Sequence, residues 1–211
     1  MKRPWIFAAG IAVLIVALAP PLHTVADDLF SVHMVQHLML VLVAAPLLAW
    51  SAPAPARLPQ LLRKPLVVGA LHAMALWAWH LPVLYDAAIA NPLLHIVEHG
   101  SFLVTAYLFW DVVIGKAGAD DQLRRVGLVF ATTLQSGALG AVIAFASSVL
   151  YTAHVASAPV RGLTPLEDQQ LAGAIMWVPP GAVYVIVMLV LLWSAFKRYE
   201  TAEQVQVMGE R

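Results

Sequence analysis

Residues Phe30–Trp50 read FSVHMVQHLMLVLVAAPLLAW, a run in which only a serine, a glutamine and two histidines are polar. Its length matches the roughly 20 apolar residues that a helix needs to cross the hydrocarbon core of a bilayer. The two histidines stand four residues apart, so on a helix they lie on one face, one turn above the other. The stretch therefore predicts a transmembrane helix with a pair of imidazoles near one end.

The whole chain of 211 residues shares this apolar character. Hydrophobic residues make up 61% of it and charged residues 11%, and the mean hydropathy is +0.80. Soluble domains carry about 25% charged residues, so the composition indicates an integral membrane protein. No basic patch suggests nucleic acid as a partner. The absence of cysteine excludes disulfides, thiolate metal sites and cysteine nucleophiles.

Apolar segments predict an all-α, polytopic transmembrane bundle with six spans. The segments are Trp5–Ala19, Leu29–Trp50, Leu66–Leu81, Leu93–Val113, Val126–Leu150 and Leu171–Phe196. The stretches between them are rich in proline or charge and cannot continue a membrane helix. No alternation with a period of two residues is visible, which argues against strands. We expect a single transmembrane domain over residues 1–211, with residues 197–211 as a cytoplasmic tail.

The distribution of basic residues predicts the orientation of this bundle. Only Arg161 lies on one side of the membrane. The other side holds Lys2, Arg3, Arg57, Arg63, Lys64, Lys116, Arg124, Arg125, Lys197, Arg198 and Arg211. The positive-inside bias therefore predicts that both termini are cytoplasmic. The first span, residues 5–19, also resembles a signal peptide or signal anchor, because a basic start and an apolar middle precede the small residue Ala26.

The histidines are predicted to lie away from the basic residues, toward the opposite side of the membrane. His33 and His37 fall at the outer end of the second span, and His95 and His99 form a second pair at the outer start of the fourth. Random placement of the histidines would give about 0.3 such pairs, against the two observed. Ionisable residues inside membranes are costly and usually functional. The pairs therefore predict a metal or cofactor site in an outward-facing pocket.

Other residues on that side are candidates to complete or support the site. His72, at mid-depth in the third span, and His80, at its outer end, are further candidate ligands. His23 and His154 in the outer loops are expected to be interfacial. The candidate supporting residues, which would orient an imidazole or add a thioether, are Glu98, Asp168, Gln169, Asp86, Met34 and Met176.

The last span begins with a recognisable helix start. Thr164 and Glu167, three residues apart around a proline, predict a capping box. Asp168 either complements the dipole of this helix or orients a histidine.

The pair Pro179–Pro180 predicts a kink in the same helix that opens a cavity next to Met176.

The candidate ligands allow several functions. Imidazoles without thiolate suit copper, zinc or iron, and thioethers would favour Cu(I). His37 and His99 could instead be axial ligands of a haem in a redox protein. A permease with His72 along its path is a third hypothesis, but the inner halves of the spans hold almost no ionisable residues. No GxSxG, HExxH or phosphate-loop motif is present, so we expect a protein that is not an enzyme.

Three blocks of sequence resemble the CtaG family, the assembly factors of caa-type cytochrome c oxidase. The blocks are FSVHMVQHLMLVLVAAPLLAW, WAWHLPVLYDAAIANPLLHIVEHGSFL and GLTPLEDQQLAGAIMWVP, and the resemblance extends from about Phe30 to Trp193. It implies a polytopic protein of the bacterial inner membrane that helps to mature the copper-containing oxidase.

The resemblance also implies a cargo, a partner and a set of residues. The cargo is copper and the partner is a subunit of cytochrome c oxidase. The histidines of the family correspond to His33, His37, His80, His95 and His99, and its acidic and amide cluster corresponds to Glu167, Asp168, Gln169 and Gln170. Family members often carry an additional span and longer loops; this chain is short, so the resemblance does not carry over any function of that extra part.

Overall fold

A computed structural model describes residues 3–52, 58–115 and 119–209, and these residues form helices and connecting turns with no strand among them. Their α-helices are α1 (Pro4–Leu18), α2 (Leu22–Asp28), α3 (Phe30–Leu38), α4 (Ala45–Ser51), α5 (Pro65–Trp79), α6 (Pro82–Ala90), α7 (Pro92–Ile114), α8 (Ala119–Ala144) and α9 (Pro165–Gly209). A π-helical turn, Met39–Ala44, joins α3 to α4, and 3-10 turns lie at Gln60–Arg63 and Ala158–Arg161.

Four helical segments of the described chain are long and apolar enough to cross a membrane. They are Phe30–Ser51, Pro92–Ile114, Gln122–Ala144 and Pro165–Arg198. Two bent pairs, α1 with α2 at 43° and α5 with α6 at 74°, bring the number of spans to six if each pair is one span. The prediction of an all-helical, multi-pass membrane protein is confirmed.

The structure corrects the end of one predicted span. The fifth, expected to reach Leu150, ends as a helix at Ala144. The reason is that the backbone groups after Ala144 form hydrogen bonds with side-chain amides of α9. Gln170 donates to the carbonyl of Ala146 and Gln169 accepts from the N–H of Leu150 at 2.6 Å. The last helix begins at Pro165, where the predicted capping box starts it, ahead of the apolar segment that begins at Leu171.

The predicted capping box is confirmed at the start of α9. The Glu167 carboxylate accepts hydrogen bonds from both the backbone N–H and the hydroxyl of Thr164, at 2.8 and 2.7 Å. The Thr164 hydroxyl oxygen in turn accepts from the backbone N–H of Glu167 at 3.2 Å. Two N–H groups that the helix itself cannot satisfy are therefore paired.

One end of the bundle is held together by polar contacts between loops. Asp86 of α6 accepts hydrogen bonds from the hydroxyl and the N–H of Thr152, at 2.5 and 3.2 Å. Ser157 donates to the carbonyl of Asp28, and the Asp28 carboxylate pairs with Arg161 at 2.7 Å. The end of α2, the middle of α6 and the loop after α8 therefore meet at this end, which also carries the starts of α3 and α7.

Basic residues gather at the opposite end of the described bundle. Lys64 at the start of α5 and Arg124 near the start of α8 line one cavity, and Arg125 donates to the carbonyl of Gly115 after α7. Outside the described residues lie four basic residues that entered the orientation prediction, namely Lys2, Arg57, Lys116 and Arg211. The separation of basic and histidine-bearing ends agrees with the sequence, whereas which end is cytoplasmic stays a prediction.

Helices α8 and α9 pack backbone against backbone. A Cβ atom added to Gly173 would overlap the backbone N of Ala144 and would stand 2.8 Å from the carbonyl oxygen of Gly140. Small residues at such contacts let membrane helices approach closely, because association in lipid depends on packing rather than on the hydrophobic effect.

Candidate metal centre

The start of α3 is capped by a side chain of α9. Oδ2 of Asp168 accepts a hydrogen bond from the N–H of Phe30 at 2.7 Å, and Oδ1 accepts from the N–H of Ser31 at 3.0 Å. The first N–H groups of a helix have no partner within it, and a negative charge there also suits the helix dipole. Asp168 therefore positions His33 by way of the backbone of α3.

The start of α7 is capped locally. Asn91 accepts hydrogen bonds from two backbone N–H groups of the first turn, the shorter at 2.9 Å, and Pro92 takes the first helical position. Proline suits that position because its missing N–H would have no partner there. His95, Glu98 and His99 follow at spacings of three and four residues, which place them on one face of the helix.

Four side chains from these two helices converge. His33 of α3 meets His95, Glu98 and His99 of α7, and one nitrogen or oxygen atom of each lies within 4.8 Å of those of the others. The His33 ring stacks on both histidines of α7, with centroids 5.2 Å from His95 and 5.5 Å from His99. We call these four residues the His–Glu cluster.

His37 borders the His–Glu cluster one turn further into the membrane. Its ring centroid lies 4.4 Å from that of His33 and 5.0 Å from that of His99. Its Nε2 is 3.7 Å from Oε1 of Glu98, while Nε2 of His33 is 4.0 Å from Oε2. Each oxygen of the Glu98 carboxylate thus faces one histidine of α3.

The polar atoms at this centre are buried and have no hydrogen-bond partner among the described residues. They are Nδ1 and Nε2 of His33, Nδ1 and Nε2 of His37, Nε2 of His95, Nε2 of His99, and Oε1 and Oε2 of Glu98. Nearly all buried polar groups in proteins are paired, because each one left unpaired costs about 1–3 kcal/mol. So many unpaired polar atoms in one place indicate that a bound partner interacts with them.

The spacing of these atoms suits a cation better than direct hydrogen bonds. Separations of 3.7 and 4.0 Å between the imidazoles and Glu98 are too long for hydrogen bonds. Two ligands that each stand about 2.0–2.2 Å from one ion are about 3–4 Å apart. Imidazole nitrogen and carboxylate oxygen are both common metal ligands. The arrangement can therefore bind a metal ion.

A cavity leads toward the His–Glu cluster from the side of α1 and α2. It has a volume of about 460 Å³, and its lining includes His23, His95 and His99. The His23 side chain is 37% exposed and its ring centroid lies 5.8 Å from that of His95. His23, expected from the sequence to be interfacial, is therefore the outermost of a series of imidazoles.

His154 covers the cluster from the loop after α8. Its Nε2 lies 2.7 Å from the Tyr85 hydroxyl, and its ring centroid is 6.4 Å from that of His33. Burial lowers the pKa of His154, and the nearby Asp168 carboxylate opposes this shift. The imidazole is therefore biased toward its neutral form, in which it can accept the tyrosine hydrogen bond.

His80 lies on the far side of His37 from the His–Glu cluster, at the turn between α5 and α6. Its ring centroid is 5.9 Å from that of His37, and its Nε2 is 3.4 Å from Sδ of Met34. These residues and Met176 line a small internal cavity of about 30 Å³. The predicted cavity next to Met176 is present, and Pro180 also lines it.

The structure places three other candidate residues away from the His–Glu cluster. His72 lies between α5 and α7, where its Nδ1 is 3.1 Å from the Thr105 hydroxyl and its ring stacks on Phe109. Asp86 holds the loop at Thr152, as described above. Gln169 binds the same loop through both ends of its side-chain amide. The amide nitrogen donates to the carbonyl of Ser148, and the amide oxygen accepts from the N–H of Leu150.

Sequence reasoning assigned Glu98 a supporting role, whereas the structure places it inside the cluster as a candidate ligand. A signal for this was present, because Glu98 stands three residues after His95 and so shares its face. No comparable signal pointed to His23, which the bend between α1 and α2 brings next to His95.

A helical, multi-pass membrane bundle with buried imidazoles and a carboxylate gathered near one end defines the class: a membrane protein with a candidate metal centre. The chain belongs to the family described as cytochrome c oxidase caa3 assembly factor, whose sequence model matches residues 1–198. The resemblance seen in the sequence is thereby confirmed. No curated protein and no solved structure matches the chain.

Proposed function

We propose that this assembly factor binds copper at the His–Glu cluster and delivers it to a subunit of cytochrome c oxidase. The observation that carries the proposal is the convergence of buried, unpartnered nitrogen and oxygen atoms from α3 and α7. The family supplies the client, since its members assist assembly of the oxidase. Binding and release of an ion require no catalysed reaction, so the role is that of a carrier rather than an enzyme.

The ligand set supports copper and permits its release. Among divalent first-row metals, copper binds most tightly to a given site with nitrogen and oxygen ligands. Imidazole and carboxylate ligands exchange more readily than thiolates, which suits an ion that must be passed on. The Glu98 carboxylate would offset one positive charge of an ion in a buried place where an unpaired charge is costly.

A haem between His37 and His99 is the alternative from another class of protein. A porphyrin needs a flat slot between its two axial ligands. The rings of His37 and His99 are only 5.0 Å apart and nearly perpendicular, and His33 stands 4.4 Å from His37. This crowding supports a single ion over a haem.

The same proposal gives the site a location and a direction of loading. From the positive-inside bias we place the His–Glu cluster on the periplasmic side of the bacterial inner membrane. Copper would enter by the cavity past His23 and His95 and reach His33 and Glu98, which are fully buried. Imidazoles of decreasing exposure would supply ligands along this path.

Elemental analysis of the protein purified in detergent tests the proposal. We would compare the wild type with the double variant His33→Ala/His99→Ala after growth with added copper. His72→Gln is the matched control, because His72 is equally buried but lies outside the cluster. We expect the double variant to hold about one copper ion per chain fewer than the wild type and the control do.

The same strains separate the outcomes. Reduced oxidase activity in membranes of the double variant, with normal abundance of the protein, would support delivery. Iron in place of copper, together with a Soret absorption band, would favour haem. Equal copper in the double variant and the wild type would overturn the assignment of the site.

A further inference from the structure

A second pair of potential metal-donor atoms, chemically different from the His–Glu cluster, lies beyond His37. We propose that Nε2 of His80 and Sδ of Met34 bind a soft monovalent cation such as Cu(I), in the cavity that they share with Met176. This site goes beyond the proposed function and does not depend on it, because neither ligand belongs to the His–Glu cluster.

The hydrogen bond of His80 fixes which of its nitrogens is free. Nδ1 of His80 lies 2.6 Å from the carbonyl oxygen of Leu76, the residue one turn earlier in α5. A carbonyl oxygen can only accept, so Nδ1 must carry the hydrogen. A neutral imidazole has one N–H, and Nε2 of His80 is therefore left with an exposed lone pair.

The atom that faces this lone pair is also a donor of electrons. Sδ of Met34 stands 3.4 Å from Nε2 of His80, and a thioether sulfur carries no hydrogen. Two lone pairs thus face each other with no proton between them. An imidazolium would supply a proton, but His80 is only 4% exposed and the thioether sulfur would be the one weak acceptor facing that N–H, whereas a metal ion takes both atoms as ligands. A cation between the two atoms would bind both lone pairs.

The geometry of the pair fits one ion. Nε2 of His80 and Sδ of Met34 are 3.4 Å apart. For an ion about 2.0 Å from the nitrogen and about 2.3 Å from the sulfur, this separation gives a nitrogen–ion–sulfur angle of about 104°, close to tetrahedral. The cavity of about 30 Å³ has room for one ion. His37 and Met176 line the same cavity and could complete the coordination.

The donors select the charge and softness of the ion. Thioether and imidazole without carboxylate favour Cu(I) and its surrogate Ag(I), whereas carboxylate and imidazole favour a harder divalent ion. Met34 is fully buried and packs against Phe30 and Tyr85, so its sulfur is shielded from solvent. The two centres therefore differ in chemistry although the rings of His37 and His80 are 5.9 Å apart.

Titration with Ag(I), which is redox-inert, tests this site in the full-length protein purified in detergent. Met34→Leu removes the sulfur and nearly conserves the volume, so the fold should be retained. Met74→Leu is the matched control, because Met74 is 62% exposed on α5. We expect Met34→Leu to bind Ag(I) at least tenfold more weakly than the wild type and than Met74→Leu. Unchanged affinity in Met34→Leu would overturn the proposal.

Two further measurements keep this test separate from that of the His–Glu cluster. X-ray absorption of the wild type loaded with Cu(I) should show a sulfur neighbour, and a shell of only nitrogen and oxygen would overturn the site without any variant. The double variant His33→Ala/His99→Ala should still bind Ag(I). If the cluster binds no copper but this variant and the wild type bind Ag(I) equally, the proposed function fails while the second site stands.

Discussion

Glu98 is a carboxylate with 0% exposure whose two oxygens have no hydrogen-bond partner among the described residues. A charge buried in this way destabilises the protein unless something pairs with it. The neighbours that could pair with it are imidazoles at 3.7 and 4.0 Å, which are themselves unpaired. A metal ion would satisfy both kinds of group at once, so the cost of burying Glu98 should appear only when the ion is removed.

The substitution Glu98→Gln tests this account of the residue. Without added metal, we expect the variant to be as stable as the wild type or more stable, because a buried carboxylate has been replaced by a neutral amide of the same shape. With copper at about 100 times Kd, the wild type should gain about 2.7 kcal/mol and the variant much less. Thermal unfolding in detergent, with chelator and with copper, measures both.

The control for this residue is Gln169→Glu, which introduces a carboxylate near the same end of the bundle but outside the cluster. It should not create or abolish the stabilisation by copper. The account is wrong if Glu98→Gln gains as much stability from copper as the wild type does.

At this scale the sequence predicted a good part of the site. The two HxxxH pairs predicted that His33, His37, His95 and His99 share a pocket, and the structure brings all four together. The orphaned oxygens of Glu98 could not be predicted, because they depend on the rotation of α7 against α3. The pairing of His80 with Met34 depends on the 74° bend between α5 and α6, and no residue pattern predicts that angle.

Helix α3 owes its position to an element far away in sequence. Asp168, which is 138 residues from Phe30, caps it and so ties α9 to the helix that carries His33 and His37. Its neighbour Glu167 forms only the exposed capping box of α9. Two adjacent acidic residues thus act on two different helices.

Replacing Asp168 by Ala should weaken both the fold and the site. Two N–H groups of α3 would lose their acceptor, which costs about 1–3 kcal/mol, and the start of α3 would be free to shift. We expect a lower unfolding temperature and at least a tenfold loss of copper affinity. Glu167→Ala is the matched control and should leave copper affinity unchanged. Equal copper affinities in both variants would contradict the role of Asp168.

The contact between α8 and α9 gives a second prediction at this scale. Gly173→Ala would place a Cβ 2.7 Å from Cα of Ala144, and these backbone atoms cannot move aside without parting the helices. We expect a loss of about 3 kcal/mol of stability and much lower abundance in the membrane. Gly181→Ala on the same helix has open space and should be harmless. Quantitative immunoblots of membranes compare the two, and similar abundances would contradict the prediction.

Elements were predictable where the signal is local and unpredictable where it is not. The start of α9 was predicted from Thr164, Pro165 and Glu167, and the spans were predicted from hydropathy. The end of α8 at Ala144 was missed because the apolar stretch continues to Leu150. What stops the helix is a set of amide side chains from α9, and their reach depends on the tertiary packing of the two helices.

The described part of the molecule is polarised: the imidazoles other than His72 lie toward one end, and the basic side chains other than Arg161 lie toward the other. The sequence predicted this separation because the positions of Lys, Arg and His along the spans are sufficient for it. The order of the helices in the bundle was not predictable, since apolar faces in lipid do not specify their neighbours.

The orientation of this polarised molecule can be tested directly, since the native chain has no cysteine. Val160→Cys introduces a thiol at a position 83% exposed near the histidine end, and Leu61→Cys one that is 56% exposed near the basic end. We expect a membrane-impermeant maleimide to label the first, but not the second, in spheroplasts. Both should be labelled after lysis. The reverse pattern would place the histidine end in the cytoplasm.

The π-helical turn at Met39–Ala44 separates the two halves of one span. Each of its hydrogen bonds closes over one residue more than in an α-helix. The halves before and after it are therefore out of phase by about one residue, or roughly 100°, relative to a regular helix. In an unbroken helix the angular position of His37 would be dictated by the residues of α4 that pack on α1 and α7. The extra residue rotates His33 and His37 by this fixed angle relative to α4, so the histidine-bearing half faces the His–Glu cluster while α4 packs on α1 and α7.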